Sequence, residues 1–194
     1  MPQRRNNDWI LLLAQLPTAP SSARVSLWRR LRASGAASLA NGAWALPASK
    51  AHDALLEKLA ASTREQGGAA TVFHGGVSKE QQRQIIARFA ADRAREYAEF
   101  ADRSRAFLDE IKKERRLGKF TFAELEEIDD DFAKLSSWLG KIEARDFFSG
   151  KALKDARARL SACETARAAF AESVYEHEGI EEEFQETTPK RRKA

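Results

Sequence analysis

Residues 24–47 read RVSLWRRLRASGAASLANGAWALP. The end of this stretch decides the fold. Asn41-Gly42 separates two small apolar runs, Ala36–Ala40 and Ala43–Leu46. That dipeptide is the strongest short-range hairpin signal, because both central residues of a type I′ turn need positive φ. Pro47 closes the second strand. Upstream, Ser21 or Ser22 can cap a helix that runs to about Ser34, and Gly35 stops it.

Working outward, Trp9–Leu16 (WILLLAQL) is a continuous apolar run between Asp8 and Pro17. Its length suits a central strand buried on both faces. Lys50–Gln66 is predicted helical, with Leu55, Leu56, Leu59 and Ala60 on one face and Gly67-Gly68 as its stop. Ala70–Phe73 is a short β-prone run. The order is strand, helix, strand, strand, helix, strand. Residues 1–76 therefore read as a ferredoxin-like βαββαβ module, an antiparallel sheet with two helices on one face.

After Gly76 helix formers dominate. Lys79–Leu117 reads as one long helix, with Tyr97, Phe100, Ser104, Phe107 and Ile111 stepping by three and four. Gly118 breaks it, and Thr121 with Glu124 forms a capping box. Leu125, Ile128, Phe132, Leu135, Leu139 and Ile142 repeat the spacing. Past Ser149-Gly150, so do Leu153, Ala156, Leu160, Cys163, Phe170 and Val174. Three such stripes joined by short turns make an antiparallel, coiled-coil-like three-helix bundle over residues 77–179. The long first helix leaves room for a homodimer. Residues 180–194 form a charged tail expected to be disordered. The fold class is thus α+β.

Composition narrows the function. No apolar run approaches the ~18–20 residues of a membrane span. A single cysteine, Cys163, excludes an intrachain disulfide and suits a reducing, cytoplasmic setting. Net charge is +4, unevenly spread. Residues 1–75 hold nine Lys or Arg against four Asp or Glu, residues 76–189 twenty against twenty-five, and Lys190, Arg191, Arg192 and Lys193 close the chain. This asymmetry points to an anionic partner such as nucleic acid; solubility plus a basic tail is the plainer account.

Helical spacing puts Arg24, Leu27, Trp28 and Leu31 on the face expected to meet the sheet. Arg24 then either escapes to water or pairs with a carboxylate, or it serves as an oxyanion site through its guanidinium fork. Arg29, Arg30 and Arg32 point outward, as a solvated face or as phosphate contacts. Arg4 and Arg5 add a basic arm. Trp28 is read as a packing residue, as are Trp9 and Trp44; base stacking would need one of them exposed. Trp138 marks a widened apolar face. His52, His74 and His177 lack ligand spacing, so no metal or other cofactor is assigned. Cys163 reads as a small buried hydrophobe. The acidic run from Glu124 to Asp131 lacks the glycine of a calcium loop and reads as a solvated helix face. No phosphate-binding glycine loop, nucleophile elbow or zinc-protease motif appears, so no catalytic residue and no enzymatic activity are assigned.

DWILLLAQLP, RVSLWRRLRASGAASLANGAWALP and FTFAELEEIDDDFAKLSSWLGKIEARDFF together resemble the N-terminal domain of the ChrB chromate-resistance regulators, over roughly residues 8–175. The first half also resembles the Cas2-like module inside PaaX-type repressors. The resemblance implies a transcription regulator that binds the promoter of a chromate-efflux operon and responds to chromate, with Arg24, Arg29 and Arg32 as the positions to test. Longer family members carry a second, C-terminal domain; in its place these 194 residues end in the charged tail. If that domain holds the chromate sensor, this chain binds DNA or a partner without sensing. Cas2-like nucleases place a metal-binding aspartate at the end of the first strand. That position here reads Gln15-Leu16-Pro17, which argues against nuclease activity. Two readings follow: a promoter-binding regulator, or a non-DNA-binding accessory protein of oxyanion resistance. No helix-turn-helix reading head is visible.

Overall fold

The structure is a computed structural model, and it describes residues 8–19 and 21–179. Arg4, Arg5 and the 180–194 tail lie outside the described residues. Nine elements follow in order: β1 (Asp8–Gln15), α1 (Ser21–Ala33), β2 (Ala37–Ala40), β3 (Ala43–Pro47), α2 (Lys50–Glu65), β4 (Ala69–Gly76), α3 (Lys79–Leu117), α4 (Phe122–Glu143) and α5 (Lys151–His177). The first six give the expected βαββαβ order. The strands lie in the order β2-β3-β1-β4, and every neighbouring pair is antiparallel. This is the ferredoxin-like arrangement.

Alternation along β1 sorts its side chains between two cores. Ile10, Leu12 and Ala14 face α1 and α2, where they pack with Leu31, Trp44, Leu46, Leu56, Leu59 and Ala60. Trp9 and Leu11 face the other way and meet Ala37, Ala45, Ile85 and Phe89. The first turns of α3 therefore cover the second face of the sheet. Coverage runs out toward the end of the strand, where Leu13 is exposed beside exposed Thr71.

Two local details differ from the sequence reading. Ser21 and Ser22 lie in the first turn of α1, not before it. The β2–β3 turn is not type I′, because Gly42 has φ +76° and no non-glycine residue among those described has positive φ. A register irregularity between Ser38 and Ala40 absorbs the difference. Gly42 is needed for a second reason. Ala14 donates its N–H to the Gly42 carbonyl at 2.7 Å, and a Cβ on residue 42 would stand 2.5 Å from the Ala14 carbonyl oxygen. The hairpin tip is pinned to β1 by a contact that only glycine permits.

Helix α2 starts as its sequence requires: Ser49 is extended and its Oγ accepts the His52 N–H at 3.0 Å. The α4 start is half a capping box. Thr121 Oγ1 accepts the Glu124 N–H at 3.3 Å, while the Glu124 carboxylate takes Lys119 Nζ at 3.1 Å.

The described chain forms two compact units. Residues up to Ala101 together with Ser137–Arg157 make the first; Asp102–Ser136 and the residues from Ala158 onward make the second. The start of α3 and the α4–α5 junction thus belong with the sheet. In the second unit Ser104, Phe107 and Ile111 of α3, Leu125, Ile128 and Leu135 of α4, and Cys163, Phe170 and Val174 of α5 are all buried, as their spacing predicts. The contacts Phe122–Tyr175 and Asp129–Arg167 run in opposite chain directions, so α4 and α5 are antiparallel, and Phe107–Phe132 and Cys163–Ser104 join α3 to both.

Cys163 is fully buried and its Sγ lies 3.7 Å from the Ser104 carbonyl. Burial pushes its thiol pKa up, which suppresses the thiolate. Native protein is expected to react with iodoacetamide at least a hundredfold more slowly than protein in denaturant, as mass spectrometry would record. Equal rates would remove the buried-hydrophobe reading.

Candidate nucleic-acid interface

Helix α1 carries the basic cluster, and its orientation sets what that cluster can do. The inward row is Leu31, which is buried, with Leu27 and Ala23 half-buried. The neighbouring i, i+4 row holds Arg24, Trp28 and Arg32. Trp28 is 53% exposed, so it is not the packing residue its position suggested. Arg24 is also exposed and does not face the sheet. The apolar face of α1 is narrow, and its margin falls between Leu27 and Trp28.

Arg24 and Arg29 stand in solvent and Arg30 is half-buried. Among the described residues no carboxylate lies within ion-pair distance of any of the three. Arg32 differs, since its Nη1 donates to Asp92 Oδ2 at 2.9 Å. Of the three arginines expected to point outward, Arg29, Arg30 and Arg32, the last is therefore taken by an internal pair. Trp9 and Trp44 pack as expected, at 3% and 8% exposure.

Trp28, Arg32 and Trp44 line an open cleft of about 550 Å³ with Ser38, Ala40, Asn41, Gly42 and Arg95. No carboxylate lines it. Sequence reasoning missed Arg95, an exposed arginine on α3 within a run of mixed charge. Nothing in its local sequence marks it; only the fold brings it beside α1 and the hairpin.

Behind α1 lies a network of charges. Asp92 holds Arg32, Glu96 Oε2 accepts a hydrogen bond from Arg145 Nη2 at 3.2 Å and forms an ion pair with Arg93 Nη1 at 3.2 Å, and Tyr97 donates to Asp146 Oδ2 at 2.7 Å. Arg93 is only 5% exposed. Burial lowers its pKa and the Glu96 carboxylate opposes that shift. Arg145 also packs on Gly35, where an added Cβ would approach its own Cβ to 2.9 Å. The C-terminal end of α1 is thus held by the α4–α5 junction.

Burial first, then the hydrogen bond to Asp146, raises the Tyr97 pKa well above its ordinary value near 10. The folded state holds this proton more tightly than the unfolded chain does. The resulting stabilisation is complete below about pH 10 and is lost as pH rises beyond it. Tyr97→Phe is expected to cost about 1 kcal/mol at pH 7. Between pH 10 and 12 the variant should lose less stability than the parent, as urea unfolding at both ends of that range would register. Parallel losses would mean that Tyr97 does not titrate abnormally.

The other candidates make internal contacts. The ring of His52 lies edge-on to Phe147, and His74 Nε2 bonds Asp53 at 2.6 Å. Among the described residues no group of three or more His, Cys, Asp or Glu could hold a metal ion, and no helix is long and apolar enough to cross a membrane. In the acidic run, Glu124, Asp129 and Asp131 pair with Lys119, Arg167 and Lys134.

Fold and site define a class: a ferredoxin-like α/β module with a basic, aromatic-bearing first helix, followed by long helices. The family described as "Protein ChrB, N-terminal" matches residues 24–181, and the chain belongs to that family. This makes it a chromate-resistance-related protein. "Protein ChrB" of Cupriavidus metallidurans is 34% identical over 100 residues. The match covers 52% of this chain and 31% of that relative, well under two thirds of its length.

Proposed function

We propose that the chain is a cytoplasmic, non-enzymatic transcription regulator of a chromate-resistance operon that grips promoter DNA through α1. The observation that carries this reading is the set of three guanidiniums on one short helix, Arg24, Arg29 and Arg30, that have no carboxylate partner among the described residues. Free guanidiniums can each contact a duplex phosphate, and such contacts supply affinity without sequence information. Family membership supports the same reading. A homodimer would double the number of phosphates engaged and match a two-fold operator. Chromate, a divalent oxyanion, would compete for the same cations. A mobility-shift titration with the chain's own upstream region tests this, run with and without chromate. Promoter retention above that of random duplex supports it; equal retention of both removes the regulator role. A non-DNA-binding accessory role in oxyanion resistance would instead show as chromate or sulfate protection against thermal unfolding, lost in Arg24→Ala.

A further inference from the structure

We propose that the cleft beside Trp28 holds a single unstacked nucleotide, with its base on the indole and its phosphate at Arg95. This rests on reading the chain as a DNA-binding protein, and it adds a ligand that the outward face of α1 does not explain.

Trp28 is the starting observation. An indole 53% exposed contributes little to the core, and among the described residues no aromatic ring stacks on it. Its neighbours on the cleft wall are chosen by the fold and not by local sequence. Arg32 comes from one turn further along α1, Arg95 from α3, and Ser38, Ala40, Asn41 and Gly42 from the β2–β3 hairpin. Arg32 Nη1 is occupied by Asp92, which leaves the rest of its fork available. Arg95 has no carboxylate within ion-pair distance among the described residues. The cleft thus joins one exposed aromatic face, that of Trp28, with the buried Trp44 behind it, two cations and a hydrogen-bonding rim.

Each part matches one part of a nucleotide. Every base offers a π face for an indole, and stacking of this kind tolerates any sequence. A guanidinium pairs with a phosphate through parallel N–H donors. The Asn41 amide and the hairpin backbone can meet a base edge. The cleft volume of about 550 Å³ lies within the range of small-molecule sites. A lone inorganic oxyanion would use the arginines but leave the indole without a role. A fully paired duplex would present phosphates but no free base face. The chemistry therefore selects an unpaired nucleotide, as at a bulge or an extruded base.

The test compares three labelled duplexes of one sequence on the full chain by fluorescence anisotropy. One is fully paired, one carries a single unpaired adenine, and one carries an abasic unit at that bulge. The unpaired adenine is expected to bind about tenfold tighter than the other two. Trp28→Ala should erase that advantage while leaving the paired duplex within twofold, and Trp28→Phe should restore most of it. Arg95→Ala should also reduce the advantage. Thermal unfolding of each variant confirms that it is folded. Equal affinity for all three duplexes, or an advantage that survives Trp28→Ala, overturns the nucleotide cleft and leaves the α1 reading standing. No binding to any duplex overturns both.

Discussion

Replacing Arg24, Arg29 and Arg30 together by alanine is expected to weaken binding to the promoter duplex by two to three orders of magnitude at about 0.1 M salt. Each phosphate contact contributes ~0.9 to the slope of log affinity against log salt, so it adds roughly eightfold for every tenfold dilution below 1 M. Three contacts compound to about 500-fold. The loss should be nearly uniform across sequences, because phosphate contacts do not read bases. Anisotropy titrations on promoter and random duplex would measure both effects. Stability should change little, since Arg24 and Arg29 are exposed and none of the three makes an internal pair among the described residues. A loss confined to the promoter would point to base reading instead.

The second large effect is on stability. Glu96→Ala is expected to destabilise the fold by about 3 kcal/mol. Glu96 is the carboxylate shared by Arg93 and Arg145, whose side chains are 6% and 20% exposed. Removing it leaves two poorly solvated guanidiniums facing each other without compensation, and an unpaired buried charge costs more than the pair itself contributes. Nε of Arg93 already lacks a hydrogen-bond partner, so no spare acceptor among the described residues is placed to take over. Urea unfolding at pH 7 measures the change. Glu96→Gln should recover part of it by keeping an acceptor in place. A change below about 1 kcal/mol would show that water reaches Arg93 freely.

Most of the secondary structure is legible in the sequence because its signals are periodic or terminal. The stripe from Tyr97 to Ile111 steps by three and four, and all five of its residues are buried in α3. Gly35 and Gly67 end helices at φ +80° and +76° as their positions require. The cover of α3 on the second sheet face is not legible. Ile85 and Phe89 belong to the same helical pattern whether they meet a sheet or another helix.

The site is legible in part. The arginines of α1 stand out locally, but their surroundings do not. On a 13-residue helix with two aliphatic anchors, spacing fixes the buried row only to within one position. Trp28 lies next to Leu27, and the packing of the hairpin and α3 decides on which side of the margin it falls. Asp92 is 60 residues from Arg32 in sequence, so no window could reveal that Arg32 is partnered. The hairpin shows the same limit. Asn41-Gly42 announces a turn correctly, but the close approach of Ala14 selects its geometry.

DNA binding through α1 requires its guanidiniums to meet phosphate. The most direct measurement is the salt dependence of affinity for the chain's own upstream duplex, compared between the parent and the Arg24, Arg29, Arg30 triple alanine variant. The expected slope of log affinity against log salt is about −3 or steeper in the parent, shallower by about 2.7 in the variant. Identical slopes would contradict it.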